Sequence, residues 1–145
     1  IARYYYQVHT MKHILTIDLG TTGTRVIAFD EVGSIAASEY HELDISYPHT
    51  GWVEQDPQQI IDLTKAQLTT VAKAVGIDTI AGISITNQRE TTIIWDRHSG
   101  QPRAPAIVWQ DKRTKDLCLK RQPHAERTRQ LTGLPIDPYF SAPKI

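Results

Sequence analysis

The sequence predicts an α/β fold, and three observations carry that expectation. Two short β-branched runs flank a glycine- and threonine-rich turn at residues 18–25, one long amphipathic helix follows, and strand-like and helix-like segments succeed one another afterwards. With 145 residues and 40% hydrophobic content the chain can bury one core, and a second domain is not expected.

Residues 14–17 and 26–29 form the first strand pair, and between them runs Asp18-Leu19-Gly20-Thr21-Thr22-Gly23-Thr24-Arg25. This reads as a phosphate-binding hairpin turn, in which Gly20 and Gly23 accept positive φ and let backbone N–H groups approach an anion. The hydroxyls of Thr21, Thr22 and Thr24, the Asp18 carboxylate and the Arg25 guanidinium suit phosphate oxygens and a Mg²⁺ ion. It is not a Walker P-loop: the Gly-x-x-x-x-Gly-Lys-Ser/Thr pattern is missing, and a strand follows the turn, so no helix dipole anchors the phosphate.

Asp30-Glu31-Val32-Gly33 is the next turn, and residues 34–41 return as a third antiparallel strand, completing a meander. Asp56 is a helix N-cap with Pro57 at the first helical position and Gln59 as capping-box partner. The helix runs to about Val75, with Ile61, Leu68, Val71, Ala72 and Val75 on its apolar stripe and Gly76 as terminator. Residues 80–86 read as a buried strand and residues 91–96 as another, closed by the turn Arg97-His98-Ser99-Gly100. Ile107-Val108-Trp109 is too short to classify. Asp111 caps a helix to about Arg121, Pro123 opens another, and Gly133 closes it before a Pro-rich end that reads as cut off in mid-domain.

Sixteen basic residues balance sixteen acidic ones, so overall charge favours neither nucleic acid nor an anionic membrane. A basic excess between Lys112 and Arg129 reads as the solvated face of helices. Cys118 is the only cysteine, which excludes an internal disulfide and fits a packing residue in a reducing compartment. His9 and His13 have helical metal-ligand spacing without a third ligand nearby and are taken as incidental. No stretch approaches the roughly 18 apolar residues that span a bilayer, and no secretory core is visible, so a soluble, cytoplasmic protein is expected. Residues 1–10, with Tyr4-Tyr5-Tyr6, lie upstream of Met11 and carry no usable motif.

A second constellation lies in Ile85-Thr86-Asn87-Gln88-Arg89-Glu90-Thr91-Thr92, where a plain hairpin would use Asn-Gly or Asp-Gly. An Arg donor fork beside a Glu acceptor can grip several hydroxyls of a small polyol, and an exposed loop ion pair is the plainer alternative. Trp95 and Trp109 are read as apolar walls or core anchors, and Tyr139 in Asp137-Pro138-Tyr139-Phe140 as packing or a hydroxyl contact.

From about His13 to Lys144 these residues resemble the FGGY carbohydrate kinases, and most closely the members that phosphorylate glycerol. The resemblance rests on Asp18-Leu19-Gly20-Thr21-Thr22, Gly51-Trp52-Val53-Glu54-Gln55-Asp56-Pro57, residues 85–95, residues 106–110 and residues 133–141, in order and at compatible spacing. It implies a ribonuclease H-like fold of the actin-like ATPase superfamily, with residues 13–145 as the front part of the first lobe and residues 1–12 as a tail of unclear origin. It implies transfer of a phosphoryl group from ATP to a terminal hydroxyl of glycerol, giving sn-glycerol 3-phosphate. Thr21, Thr22, Gly23 and Arg25 would then contact the nucleotide phosphates, and Asp18 would serve Mg²⁺, in part through water. Arg89, Glu90 and Tyr139 would hold glycerol hydroxyls with Trp109 against the carbon chain. The family's catalytic aspartate and adenine pocket come later than this chain extends, so the 145 residues alone are expected to turn over little or no ATP. Leu19 stands where the glycerol-specific members usually have glutamine, and Pro143 where threonine is usual. Another sugar or polyol kinase of the family, or a non-catalytic actin-like phosphate-binding module, are the alternatives, and a homo-oligomer of the full-length protein is left open.

Overall fold

The computed structural model describes residues 11–145, so Tyr4-Tyr5-Tyr6 and His9 lie outside the described residues. Its elements are β1 (His13–Leu19), β2 (Gly23–Phe29), β3 (Ile35–Glu42), β4 (Glu54–Gln55), α1 (Pro57–Val75), β5 (Ile80–Asn87), β6 (Ala106–Ile107), α2 (Lys115–Arg121) and α3 (Ala125–Thr132). The expected meander is present: β1, β2 and β3 pair antiparallel, Asp30 accepts the Val32 and Ser34 N–H groups in the second turn, and Gly33 takes φ 81°. Beside it β5 pairs in parallel with β1, giving the order β3-β2-β1-β5, while β4 and β6 make a separate antiparallel ribbon.

One face of the sheet is the core. Alternation along β1 and β2 points Leu15, Ile17, Val26 and Ala28 at Val71 of α1, with Leu68, Ala72 and Val75 packed around them. Burial of each large side chain there is worth about 1.5–3 kcal/mol, which is what holds α1 across the sheet. Asp56 caps the helix by accepting the Gln58 N–H at 2.8 Å, and Gly76 ends it at φ 90°.

Several details depart from the sequence reading. The buried line of α1 is Ile60, Thr64, Gln67 and Val71, whereas Ile61 is 43% exposed. Two polar residues sit on that line, each with a backbone partner: the Gln67 amide nitrogen donates to the Thr24 carbonyl and Thr64 Oγ1 to the Ile60 carbonyl, while Gln67 Oε1 is buried without a donor. Gln59 does not close a capping box but exchanges hydrogen bonds with Asp44. Strand β5 forms as expected but is an edge strand, and Ile83 and Ile85 stay exposed because α1 covers only β1, β2 and β3. Residues 91–96 are no strand. Only isolated bridges form, Thr92 with Ile107 and Trp95 with Pro102, because the returning segment carries Pro102 and Pro105, which have no N–H for a ladder. Asp111 caps no helix, since α2 starts after Thr114, and Pro123 lies in a 3₁₀ turn before α3. Gly133 does end α3, at φ 75°. Cys118 is buried, in keeping with a packing role. His13 is a strand residue whose Nδ1 is 2.9 Å from Thr79 Oγ1. Among the described residues no helix is long and apolar enough to cross a membrane.

Candidate functional site

In parallel register Leu19 at the end of β1 lies beside Asn87 at the end of β5. Ligands of open α/β sheets bind outside the carboxyl ends of such strands, and a cleft of about 360 Å³ opens there. Asp18, Leu19, Gly20, Thr21, Asn87, Gln88, Arg89, Trp109 and Tyr139 line it. The structure thus gathers Asp18 and Thr21, at the turn after β1, with Arg89, Trp109 and Tyr139 from three distant segments.

The turn itself has its carbonyls drawn inward. Gly20 O accepts from Gln88 Nε2 at 2.9 Å, Thr21 O from Gln55 Nε2 at 2.7 Å, and Thr22 O from the Leu43 N–H at 3.0 Å. Among the described residues, the N–H groups of Thr21 and Thr22 have no intramolecular acceptor. A turn with occupied carbonyls and free amides is a concave array of donors, suited to an anion. Neither Gly20 nor Gly23 has positive φ, contrary to the sequence expectation. Glycine is required for close approach instead: a Cβ on Gly23 would lie 2.5 Å from both the His41 carbonyl oxygen and Tyr40 Oη, and one on Gly20 would lie 3.0 Å from the Gly23 carbonyl oxygen.

Gln55 and Gln88 also bind each other, Gln88 Nε2 donating to Gln55 Oε1 at 2.9 Å, and Thr91 Oγ1 donates to Gln88 Oε1 at 3.0 Å. The indole Nε1 of Trp109 donates to Thr21 Oγ1 at 2.8 Å, and its ring meets Tyr139 edge to face with centroids 6.0 Å apart. These bonds tie the polar run at 87–91 to the turn at 20–22 as one unit.

Glu90 does not line the cleft. Its Oε2 accepts the Ser141 N–H at 2.7 Å and the Ser141 hydroxyl at 2.8 Å, two residues after Tyr139, and the hydroxyl and then the N–H hold its carboxyl below the usual glutamate range. Thr22 is exposed at the turn tip, and Gly23 is buried under Tyr40. Arg25 is beside Asp18 in the ladder, its guanidinium 5.1 Å from the Tyr40 ring centroid. Trp95 is 62% exposed on the excursion after residue 92, so it is neither wall nor anchor.

Behind the cleft, Asp111 fixes the segment that carries Trp109. Its carboxylate, on a residue only 2% exposed, accepts the Val53 N–H at 2.7 Å and the Arg113 N–H and guanidinium, while Arg113 reaches Glu54 at 2.8 Å and covers the Trp52 ring. Burial alone would raise this carboxyl, but the bonds from Arg113 and the two backbone N–H groups carry it below the usual aspartate value. Arg113 is therefore the exception in a basic stretch that otherwise faces solvent. Sequence reasoning missed Gln55 and Gln88 as organisers of the turn. Both stand in segments singled out for their pattern, but no local spacing marks a glutamine that bonds a carbonyl far along the chain.

Comparison with known proteins agrees with this geometry. Residues 13–145 match the FGGY family of carbohydrate kinases, N-terminal domain. The glycerol kinase of Burkholderia pseudomallei is 49% identical over 138 residues, covering 92% of this chain and 28% of that protein. The crystal structure of Plasmodium falciparum glycerol kinase with ADP superposes with a TM-score of 0.84 at 34% identity, over 92% of this chain and 28% of that one. A gluconate kinase from Lactobacillus acidophilus, 24% identical, shares the fold with a TM-score of 0.83 over 92% of this chain and 27% of that one. The chain spans about 28% of the length of the curated relatives it matches. Its mixed sheet with α1 on one face is the actin-like, ribonuclease H-like architecture of the amino-terminal lobe of these kinases, as far as the chain extends. With sheet, cleft and the helices after them all inside the matched span, the chain belongs to the FGGY family of carbohydrate kinases.

Proposed function

We propose that this chain supplies the phosphate turn and part of the polyol site of an ATP-dependent glycerol kinase. The observation that carries the reading is the turn with inward carbonyls and free N–H groups opening into the cleft that Arg89, Trp109 and Tyr139 share. In the reaction the bond between the terminal phosphorus of ATP and its bridging oxygen breaks, a bond from a terminal glycerol oxygen to that phosphorus forms, and the hydroxyl proton passes to a base outside these residues. Catalysis of this kind is mainly positioning and charge neutralisation. Thr21, Thr22, Gly23 and Arg25 hold phosphate oxygens, Thr21 nearest the transferred group. Arg89, Glu90 and Tyr139 bind glycerol hydroxyls, and Trp109 packs against its carbons. Asp18, exposed at the cleft, has the hard oxygen donors that suit Mg²⁺, directly or through water, and Mg²⁺ would neutralise charge on the phosphates.

The relatives named glycerol kinase, at 49% identity, favour glycerol, while the match to a family of carbohydrate kinases supports a second reading, another polyol or sugar as acceptor. We place residues 13–145 in the amino-terminal kinase domain and residues 1–12 outside it. The full-length protein acts in the cytoplasm, and a homo-oligomer is compatible with this site. A coupled ADP-release assay on the full-length gene product tests the function: glycerol-dependent ADP formation is expected, with residues 1–145 alone showing little or none. Release with gluconate or a pentulose but not glycerol would transfer the assignment to the second reading. Glu90→Ala is expected to raise the glycerol KM by about 10–100-fold through loss of a charged hydrogen bond, with the ATP KM within about twofold. Equal changes in both constants would remove Glu90 from the polyol site.

A further inference from the structure

Glu90 has φ 68° and is the one non-glycine residue with positive φ among the described residues. A glutamate keeps such a backbone only where its surroundings hold it. The device that holds it is a buried lysine. Lys144 is 7% exposed, and its Nζ donates to the Glu90 carbonyl at 2.9 Å and to the Tyr139 carbonyl at 2.7 Å. Burial pushes its ammonium below the usual lysine range against the opposing pull of Glu90, Asp111 and Asp137. Burying an ammonium is costly unless its protons are satisfied, and here two of them are spent on the backbone of two residues proposed to bind the polyol. Ser141, at the start of the 3₁₀ turn that bears Lys144, grips the other end of Glu90 through its N–H and hydroxyl on Oε2. Among the described residues Oε1 has no donor, so the grip occupies one carboxylate oxygen and leaves the other uncommitted.

We propose that Ser141 and Lys144 are positioning residues that clamp Glu90 by carboxylate and carbonyl and lock it to Tyr139, thereby setting polyol affinity without touching the polyol. The inference rests on the glycerol site proposed above. Neither residue has a chemical role in transfer. Their effect is to keep Glu90 from relaxing to an ordinary backbone conformation, and so to hold its neighbour Arg89 and Tyr139 at the cleft that both of them line.

The test uses the full-length gene product. Lys144→Met, which keeps the apolar stem and removes the donors, is expected to raise the glycerol KM about tenfold or more while the ATP KM stays within twofold. Ser141→Ala is expected to act in the same direction with about a three- to tenfold rise, and in a Glu90→Ala background to add less than twofold, because it works through Glu90 alone. A substrate-free readout accompanies these: Lys144→Met should speed exchange of the Ser141 amide about tenfold and leave the amides of β1 and β2 unchanged. Equal weakening of glycerol and ATP, or an unchanged glycerol KM with unchanged Ser141 exchange, would overturn the clamp. If Lys144→Met does not fold, Ser141→Ala and its Glu90→Ala pairing decide. If the wild-type protein phosphorylates no glycerol, the function falls, and the exchange comparison still decides the clamp.

Discussion

Replacing Gln55 by leucine removes a polar pair from a residue that is only 2% exposed. The volume is nearly conserved, so the packing cost is small and the loss is in hydrogen bonding. Two bonds go: Gln55 Nε2 to the Thr21 carbonyl at 2.7 Å, and Gln88 Nε2 to Gln55 Oε1 at 2.9 Å. Each is worth about 1 kcal/mol net, and the partly buried groups left behind recover some of their bonding from water, so the total is about 2–3 kcal/mol. If that energy is what keeps the turn carbonyls inward, local opening of residues 19–23 rises roughly 30–160-fold. Urea denaturation of the chain measures the first quantity, and hydrogen exchange at the turn measures the second. In the full-length protein the ATP KM should rise with the glycerol KM nearly constant. Gln55→Glu gives the sign: an ionised carboxylate facing the Thr21 carbonyl is repelled, while the protonated acid can donate to it. The folded-state pKa of that glutamate is therefore raised, and the variant's deficit relative to wild type shrinks as the pH falls below it. A stability change under about 0.5 kcal/mol for Gln55→Leu, within the range of a neutral surface substitution, together with an unchanged ATP KM, would refute the reasoning.

Two further predictions follow from close contact and from charge. Gly23→Ala is expected to cost about 1–3 kcal/mol by overpacking, because its Cβ would be placed 2.5 Å from the His41 carbonyl oxygen, which cannot move without disturbing the β2–β3 pairing; a denaturation midpoint equal to wild type would contradict it. Asp111 has a folded pKa below its ordinary 3.8, so on acidification the unfolded chain takes up the proton first. Its stabilising contribution is complete above about pH 3.8 and is lost as the pH falls through the lower folded value. Urea midpoints measured against pH should show a shallower acid limb in Asp111→Asn than in wild type, and identical limbs would show that Asp111 is not what acid attacks.

The parts of this fold that sequence made legible are those governed by local chemistry. Asp56, Pro57 and Gly76 mark the two ends of α1, and Asp30 through Gly33 mark the second turn, because capping and turn formation involve residues a few positions apart. The orientation of α1 was less legible. Ile61 and Ile60 are equivalent to a hydropathy pattern, and the choice between them was made by Gln67 finding the Thr24 carbonyl on β2. Residues 91–96 have strand composition, but a strand needs a partner with N–H groups, and two prolines deny it one. The same division holds at the cleft. Asp18, Thr21 and Arg89 stand in patterns with chemical meaning of their own. Gln55, Lys144 and the buried role of Asp111 depend on which distant backbone groups the fold brings near.

The parallel pairing of β1 with β5 also bears on how the protein reaches this structure. Contacts between β1 and β2 need only the short turn at residues 20–22 to close, while β5 must return to β1 across the third strand, β4 and the whole of α1. Chain closure is slower and entropically costlier for such distant pairing, so the meander and helix form a platform before β5 docks. The turn at residues 20–22 is then shaped early, but its Gly20 carbonyl finds Gln88 only when β5 arrives. A chain halted before that step has most of its secondary structure and no cleft. Assembly of the cleft is therefore the final acquisition of folding, reported by the environment of Trp109 and not by helix content.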